Sequence, residues 1–174
     1  MSKVRYAGVF GRRNSGKSSL INIITGQQVS ITSGSRGTVA DHVKKRTEIF
    51  GVGQVVFVDT AGIDDDGEPG SQRVAGTKEV ISEIDIALLL FTNNQLGSFE
   101  IDLLNQLREE EIPVIIIHNQ SDIIALDEGV AIELSEKYGV DVVEFSCNLL
   151  DQQLQKEAVE LLTSLIVKSF ADVK

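Results

Sequence analysis

The chain has a single cysteine, Cys147, so neither a disulfide nor a multi-cysteine metal site can be built within it. That residue reads as a small buried side chain. Histidine is nearly as scarce: His42 and His118 are the only two, and both read as structural or solvent-facing. No apolar run approaches the ~20 residues needed to span a bilayer. The start, Met1-Ser2-Lys3-Val4-Arg5, leads into a strand and not into a signal-peptide core. A cytoplasmic location is expected, with no membrane partner. Basic residues are also in deficit, 16 Lys and Arg against 26 Asp and Glu, for a net charge of −10. Nucleic-acid binding depends on cationic neutralisation of phosphates, so no nucleic-acid partner is expected either.

What is present fits one domain spanning residues 1–174, long enough to bury roughly two thirds of its unfolded surface. Charge is divided unevenly along it. Residues 1–80 carry 11 Lys and Arg against 8 Asp and Glu, whereas residues 81–174 carry 5 against 18. The first half is thus the side suited to an anionic ligand.

That half contains Gly11-Arg12-Arg13-Asn14-Ser15-Gly16-Lys17-Ser18, a match to the phosphate-binding pattern G-x-x-x-x-G-K-[ST]. The apolar run Val4–Phe10 precedes it, and Lys17–Thr25, with apolar positions 20, 21, 23 and 24, reads as a helix that Gly26 terminates. Strand, glycine loop and helix occur in the order a phosphate cradle requires. Inward-turned amides across Arg12, Asn14, Ser15, Gly16, Lys17, Ser18 and Ser19 would surround the anion, aided by the positive end of the helix. Lys17 would reach the β- and γ-phosphates of a nucleoside triphosphate, and the Ser18 hydroxyl would ligate its magnesium ion.

Residues 29–42 are rich in Ser, Thr and Gly and read as a long functional loop. Val43–Phe50 and Gln54–Asp59 follow as an antiparallel hairpin. The second strand ends in Asp59-Thr60-Ala61-Gly62, where Asp59 would hold magnesium through water and the Gly62 amide would swing toward a γ-phosphate. A helix is expected from Ser71 to Glu83, then a buried strand Ile84–Phe91 and a helix Ser98–Glu110. The strand Pro113–His118, helix Asp127–Tyr138, strand Val142–Phe145 and final helix Leu149–Phe170 complete the alternation. The pattern predicts a three-layer α/β fold. Its sheet has six strands, mostly parallel with one antiparallel edge strand, and helices cover both faces. Loops at the carboxyl ends of the strands would converge on one ligand site.

The loop Asn119-Gln120-Ser121-Asp122 selects the base. A carboxylate there accepts two hydrogen bonds from the N1–H and 2-amino group of guanine, whereas adenine presents an acceptor at N1 and no 2-amino group. D-x-x-G at 59 and N-x-x-D at 119, together with Ser146-Cys147-Asn148, resemble the P-loop GTPases of the G-protein superfamily. Asn119, Gln120 and Asp122 then correspond to the base-reading motif, and Ser146, Cys147 and Asn148 to the closing motif whose backbone touches the guanine oxygen.

Within that superfamily Gly-Arg-x-Asn-x-Gly-Lys-Ser-Ser-Leu is similar to a bacterial branch that includes tRNA-modification and ribosome-assembly GTPases. Asp59-Thr60-Ala61-Gly62-Ile63-Asp64-Asp65, with Gly67, Gly70, Arg73-Val74 and Thr77, most resembles the GTPase domain of the HydF family, the maturation scaffold of iron-only hydrogenase. That resemblance implies a dimerisation domain and an iron–sulfur domain beyond this one, as further domains of a longer chain or as partner proteins. It also implies that Asn14 helps coordinate potassium beside the phosphates. The family's Gly-Thr-Thr-Thr-Asp segment is here Gly37-Thr38-Val39-Ala40-Asp41, so the magnesium-binding threonine is either absent or supplied by Thr38 in a shifted register. Gln120 replaces the motif's lysine, and Ile63 stands where Ras-like enzymes carry the water-orienting glutamine.

These residues imply GTP and GDP as ligands, with magnesium and potassium as cofactors. Two readings stand: a slow GTPase whose segments 29–42 and 62–75 act as a switch, or a guanine-nucleotide-binding module with little hydrolysis. A P-loop ATPase or kinase is disfavoured by Asp122. Replacing Asp122 by Asn should turn the preference from guanine toward xanthine nucleotides, because the amide donates where xanthine presents an oxygen. Competition against labelled GDP measures this, and an unaltered preference would mean that the base is read elsewhere.

Overall fold

The computed structural model describes residues 3–26, 43–60, 70–147 and 152–173. The central strand β1 (Arg5–Gly11) is flanked on both sides by parallel neighbours, with Ala7 opposite Phe57 on one side and Ile86 on the other. In chain order the elements continue as α1 (Lys17–Thr25), β2 (Val43–Ile49), β3 (Gly53–Asp59), α2 (Gly70–Glu83), β4 (Ile86–Phe91) and α3 (Ser98–Glu109). They end with β5 (Val114–His118), α4 (Glu128–Tyr138), β6 (Val142–Glu144) and α5 (Gln152–Ala171).

The six strands lie in the order β2-β3-β1-β4-β5-β6. Only the β2–β3 pair is antiparallel, joined through residues 50–52, with Val43 opposite Asp59 and Ile49 opposite Gly53. The mostly parallel sheet with an antiparallel edge strand is therefore present as expected. The strand order decides where a ligand can go. From β1 the chain runs outward to β3 on one side and to β4 on the other, so the loop after β1 sits at the point where the winding reverses, and the crevice opens there.

Both faces of the sheet are covered, which explains the uninterrupted apolar runs. All six residues of β4 are buried. One core places Leu20 and Ile21 of α1 and Leu162, Ile166 and Phe170 of α5 against Ala7, Val9, Leu88 and Ile117. The other places Val80 and Ile81 of α2, Leu103 and Leu107 of α3 and Leu134 of α4 against Phe10, Leu89 and Ile116. Each such side chain taken fully from water contributes about 1.5–3 kcal/mol.

Boundaries depart from the pattern where local bonds compete with it. The expected strand Ile84–Phe91 begins at Ile86, because α2 runs to Glu83 and Ile84 packs as a buried side chain at the helix-to-strand turn. Asp85 is fastened there by its amide to the Tyr6 carbonyl and by its carboxylate to the Tyr6 amide. The α4 start falls at Glu128, since Asp127 caps the helix by accepting from the Val130 amide. The expected β6 ends one residue early, at Glu144, with Phe145 turned into the core.

Leu88→Ala, which truncates a fully buried side chain of the central layer, should cost ~2–5 kcal/mol in urea denaturation. Leu161→Ala on the outer face of α5, where the side chain is largely exposed, should stay within about 0.5 kcal/mol.

Candidate functional site

The turn after β1 is held by the Ser15 amide donating to the Arg12 carbonyl at 3.1 Å. Asn14 (φ 64°) and Gly16 (φ 95°) both lie in the left-handed region, which reverses the chain and turns it into α1 at Lys17. Gly16 is required for a second reason: a Cβ there would collide with the side-chain amide of Asn119. The Lys17 ammonium is almost fully buried and donates to the carbonyls of Gly11 (2.5 Å) and Arg12 (2.9 Å). It is therefore stationed inside its own loop, where it can transfer to an anionic oxygen. The Ser15 hydroxyl is buried and has no hydrogen-bond partner among the described residues.

At the end of β3 the Ser18 hydroxyl donates to Asp59 Oδ2 at 2.9 Å. Two residues 41 positions apart are thus brought together, and the carboxylate is buried. A hydroxyl and a carboxylate are hard oxygen donors of the kind magnesium takes one or two of, completing its shell with water and phosphate. No cluster of three or more His, Cys, Asp or Glu side chains suited to a metal occurs among the described residues. Thr60 closes this corner by bonding the Val9 carbonyl through both its amide (3.3 Å) and its hydroxyl (2.8 Å). Thr38 and Gly62 lie outside the described residues, as do His42 and Asn148.

The base side is built from the loops after β5 and β6. Asn119 is buried and donates from Nδ2 to the Ser15 carbonyl at 2.9 Å, while its Oδ1 faces the Cys147 thiol at 3.7 Å. Gln120, itself left-handed at φ 58°, donates to the Asn14 carbonyl at 3.2 Å. The base loop is thus laced to the phosphate loop at two adjacent residues. Asp122 is exposed at the mouth, and one of its oxygens accepts from the Ser146 hydroxyl at 2.6 Å. Burial pushes the Cys147 thiol up to about 11, against the lowering effect of its bond to Asn119, so it stays protonated and serves as a donor.

Arg12 takes a different course from its neighbours. Its backbone belongs to the loop, but its guanidinium leaves the site and pairs with Glu100 on α3. Two further participants escaped the sequence reading. Glu100 stands three residues after Gly97, a capping position that was legible, but its partner in the loop was not. Asn94 bonds the Ala125 carbonyl (3.0 Å), the Asp127 amide (2.7 Å) and, through its own amide, His118 Nε2 (3.3 Å), so it holds the base loop from behind. Its only signal was an Asn-Asn turn after a strand.

The chain is similar to known proteins. Residues 6–120 match the family described as 50S ribosome-binding GTPase. The chain belongs to the 50S ribosome-binding GTPase family. Within it, GTPase Era of Ruminiclostridium cellulolyticum is 31% identical over 167 residues, covering 92% of this chain and 53% of that protein. The tRNA modification GTPase MnmE of Nitrosomonas europaea is 31% identical over 162 residues, 91% of this chain and 33% of that protein. The chain thus spans about half the length of the Era relative. Among solved structures, Aquifex aeolicus Era bound to GDP·AlF4− superposes with a TM-score of 0.71 at 26% identity, over 96% of this chain and 57% of that one.

A second Era structure holds MgGDPNP and nucleotides 1506–1542 of 16S ribosomal RNA, again with a TM-score of 0.71 and 26% identity, over 97% of this chain and 57% of that one. This corrects the expectation that acidic composition excludes nucleic acid. Net charge averages one domain, whereas RNA binding depends on where the cations lie and on the rest of a longer protein. The relatives named here are Era and MnmE, and they do not support membership in the HydF family.

In this family member the buried His118 is structural. Its Nε2 accepts from the Asn94 amide, so Nδ1 bears the proton and donates to Ser121 Oγ at 2.9 Å. Desolvation holds its pKa below the ordinary 6.5, with Glu144 opposing. Below about pH 6.5 the unfolded chain takes up a proton that the folded chain resists, so stability is complete above that pH and declines as pH falls. Thermal midpoints from about pH 7.5 to 5.5 should fall for the wild type and flatten for His118→Asn.

Proposed function

We propose that the chain is a guanine-nucleotide-binding domain, one unit from residue 1 to 174, that hydrolyses GTP slowly and acts as a nucleotide-dependent switch. The observation that carries this reading is the meeting, at one end of the sheet, of Lys17, the Ser18–Asp59 pair and the Asn119–Asp122 loop. Lys17 leaves the carbonyls of Gly11 and Arg12 for the β- and γ-phosphate oxygens. Magnesium, held by Ser18 and Asp59, would neutralise charge on those oxygens. Asp122, oriented by Ser146, accepts from the guanine edge, and Asn119 keeps that edge at a set distance from the phosphates. Asn14 offers an exposed side-chain oxygen for potassium beside them.

Turnover is expected to be slow, because Ile63 supplies no group to orient water and charge stabilisation is left to Lys17 and the cations. Thr38 and Gly62 are assigned to magnesium and γ-phosphate by the sequence motifs alone. The second reading, a binding module with little hydrolysis, draws on Val39 and Gln120. Gln120 retains a bond to the phosphate loop but brings no charge to it.

The setting we propose is cytoplasmic, with partner proteins or further domains of a longer chain reading the nucleotide state. Iron-only hydrogenase maturation is supported by the run from Asp59 to Thr77, while the Era and MnmE relatives point to RNA-linked work. No helix among the described residues is long and apolar enough to cross a membrane.

Phosphate release from GTP should be measurable in potassium and weaker in sodium. Clear GTP binding without turnover in potassium would favour the module over the enzyme. Lys17→Ala should abolish triphosphate binding in a titration, and unchanged affinity would refute the phosphate-loop assignment.

A further inference from the structure

The Glu100 carboxylate is 1% exposed, and an ionised carboxylate is buried only when several donors compensate it. Its donors are Arg12 Nε at 2.7 Å, Arg12 Nη2 at 3.3 Å and the Gly97 amide at 2.8 Å. The Gly97 bond is half of a capping box and would suffice to start α3, since glycine has no side chain to return the second half. The two bonds to Arg12 exceed what a helix start needs. They form a bidentate pair between residues 88 positions apart, one in the phosphate loop and one in α3. Gly97 leaves room for the pair, since a Cβ at that position would meet Arg12 Nη2 and push the guanidinium aside.

What the pair holds is the part of the loop that stations the lysine. The Arg12 carbonyl accepts from both the Lys17 ammonium (2.9 Å) and the Ser15 amide (3.1 Å). The Arg12 peptide therefore sets the resting position of Lys17 and the pitch of the turn through Asn14. Its side chain, 47% exposed, contributes little to the core. Glu100, by contrast, is buried, so losing Arg12 would leave its carboxylate with the Gly97 amide alone; that cost is read in the thermal midpoint, apart from the effect on loop geometry.

From this geometry we infer that Glu100 is a positioning residue of the nucleotide site, acting through Arg12 to hold the loop peptide that places Lys17, and tying the loop to the N-terminus of α3. The inference rests on the proposed guanine-nucleotide function. A displacement of about 1 Å in such a loop is enough to lower turnover roughly a hundredfold.

The test compares wild type, Glu100→Gln, Arg12→Ala, Arg12→Lys and the double variant Arg12→Ala/Glu100→Gln, reading the dissociation constants of GTP and GDP, GTP turnover and thermal midpoint. Glu100→Gln and Arg12→Ala should each weaken GTP binding or turnover about tenfold or more. The double variant should be no worse than Arg12→Ala alone, and Arg12→Lys should recover part of the loss. Arg12→Lys, which keeps a cation beside Glu100, and the double variant, which removes the buried charge together with its partner, keep the test valid if either single variant folds poorly. Nucleotide affinity and turnover within twofold of wild type in Arg12→Ala would overturn the inference, as would additive losses in the double variant. A wild-type protein that binds neither GTP nor GDP would bring down the parent reading instead, and the two failures are thereby distinguished.

Discussion

A phosphate loop works only if several backbone amides hold one anion-shaped arrangement, and an isolated glycine turn has no reason to keep it. Here the constraint is applied from outside the loop, by the Asn119 amide donating to the Ser15 carbonyl through the space that Gly16 leaves empty. Because Asn119 is buried and its backbone amide is bonded to Phe91 on β4, the loop is referenced to the sheet. The same contact fixes the separation between the loop after β1 and the loop after β5. Gln120 adds a second tie at Asn14, and Arg12 with Glu100 a third from the opposite side.

These ties explain why the site lies where it does in the fold. The reversal of winding at β1 opens a crevice, and the strands that carry the contributing loops, β1, β3, β5 and β6, all end at that edge. Burial of the sheet on both faces makes those strand ends rigid platforms, so a residue such as Asp59 arrives beside Ser18 by register and needs no flexible search. Asp122, exposed in the loop after β5, receives a hydroxyl partner from Ser146.

Much of this was legible from residue order. The apolar runs marked the strands because both sheet faces are covered, and Gly26 marked the end of α1. The G-x-x-x-x-G-K-S, D-x-x-G and N-x-x-D spacings could be read from the residues alone because each is short and fixed. Charge balance misled on nucleic acid, since a sum over the chain carries no information about where cations lie or what adjoins the domain.

The amino-acid order by itself determined the element types, the α/β class and the chemistry available at each loop, because these depend on local periodicity and on side-chain identity within a few positions. Only the tertiary structure decided which distant residues meet. Ser18 with Asp59, Asn119 with Ser15 and Arg12 with Glu100 are separated by 41, 104 and 88 positions, and no local pattern encodes such pairings. They follow from strand order and register, which packing selects for the sheet as a whole. For that reason Arg12 could be placed in the loop from its position, whereas the direction of its side chain could not.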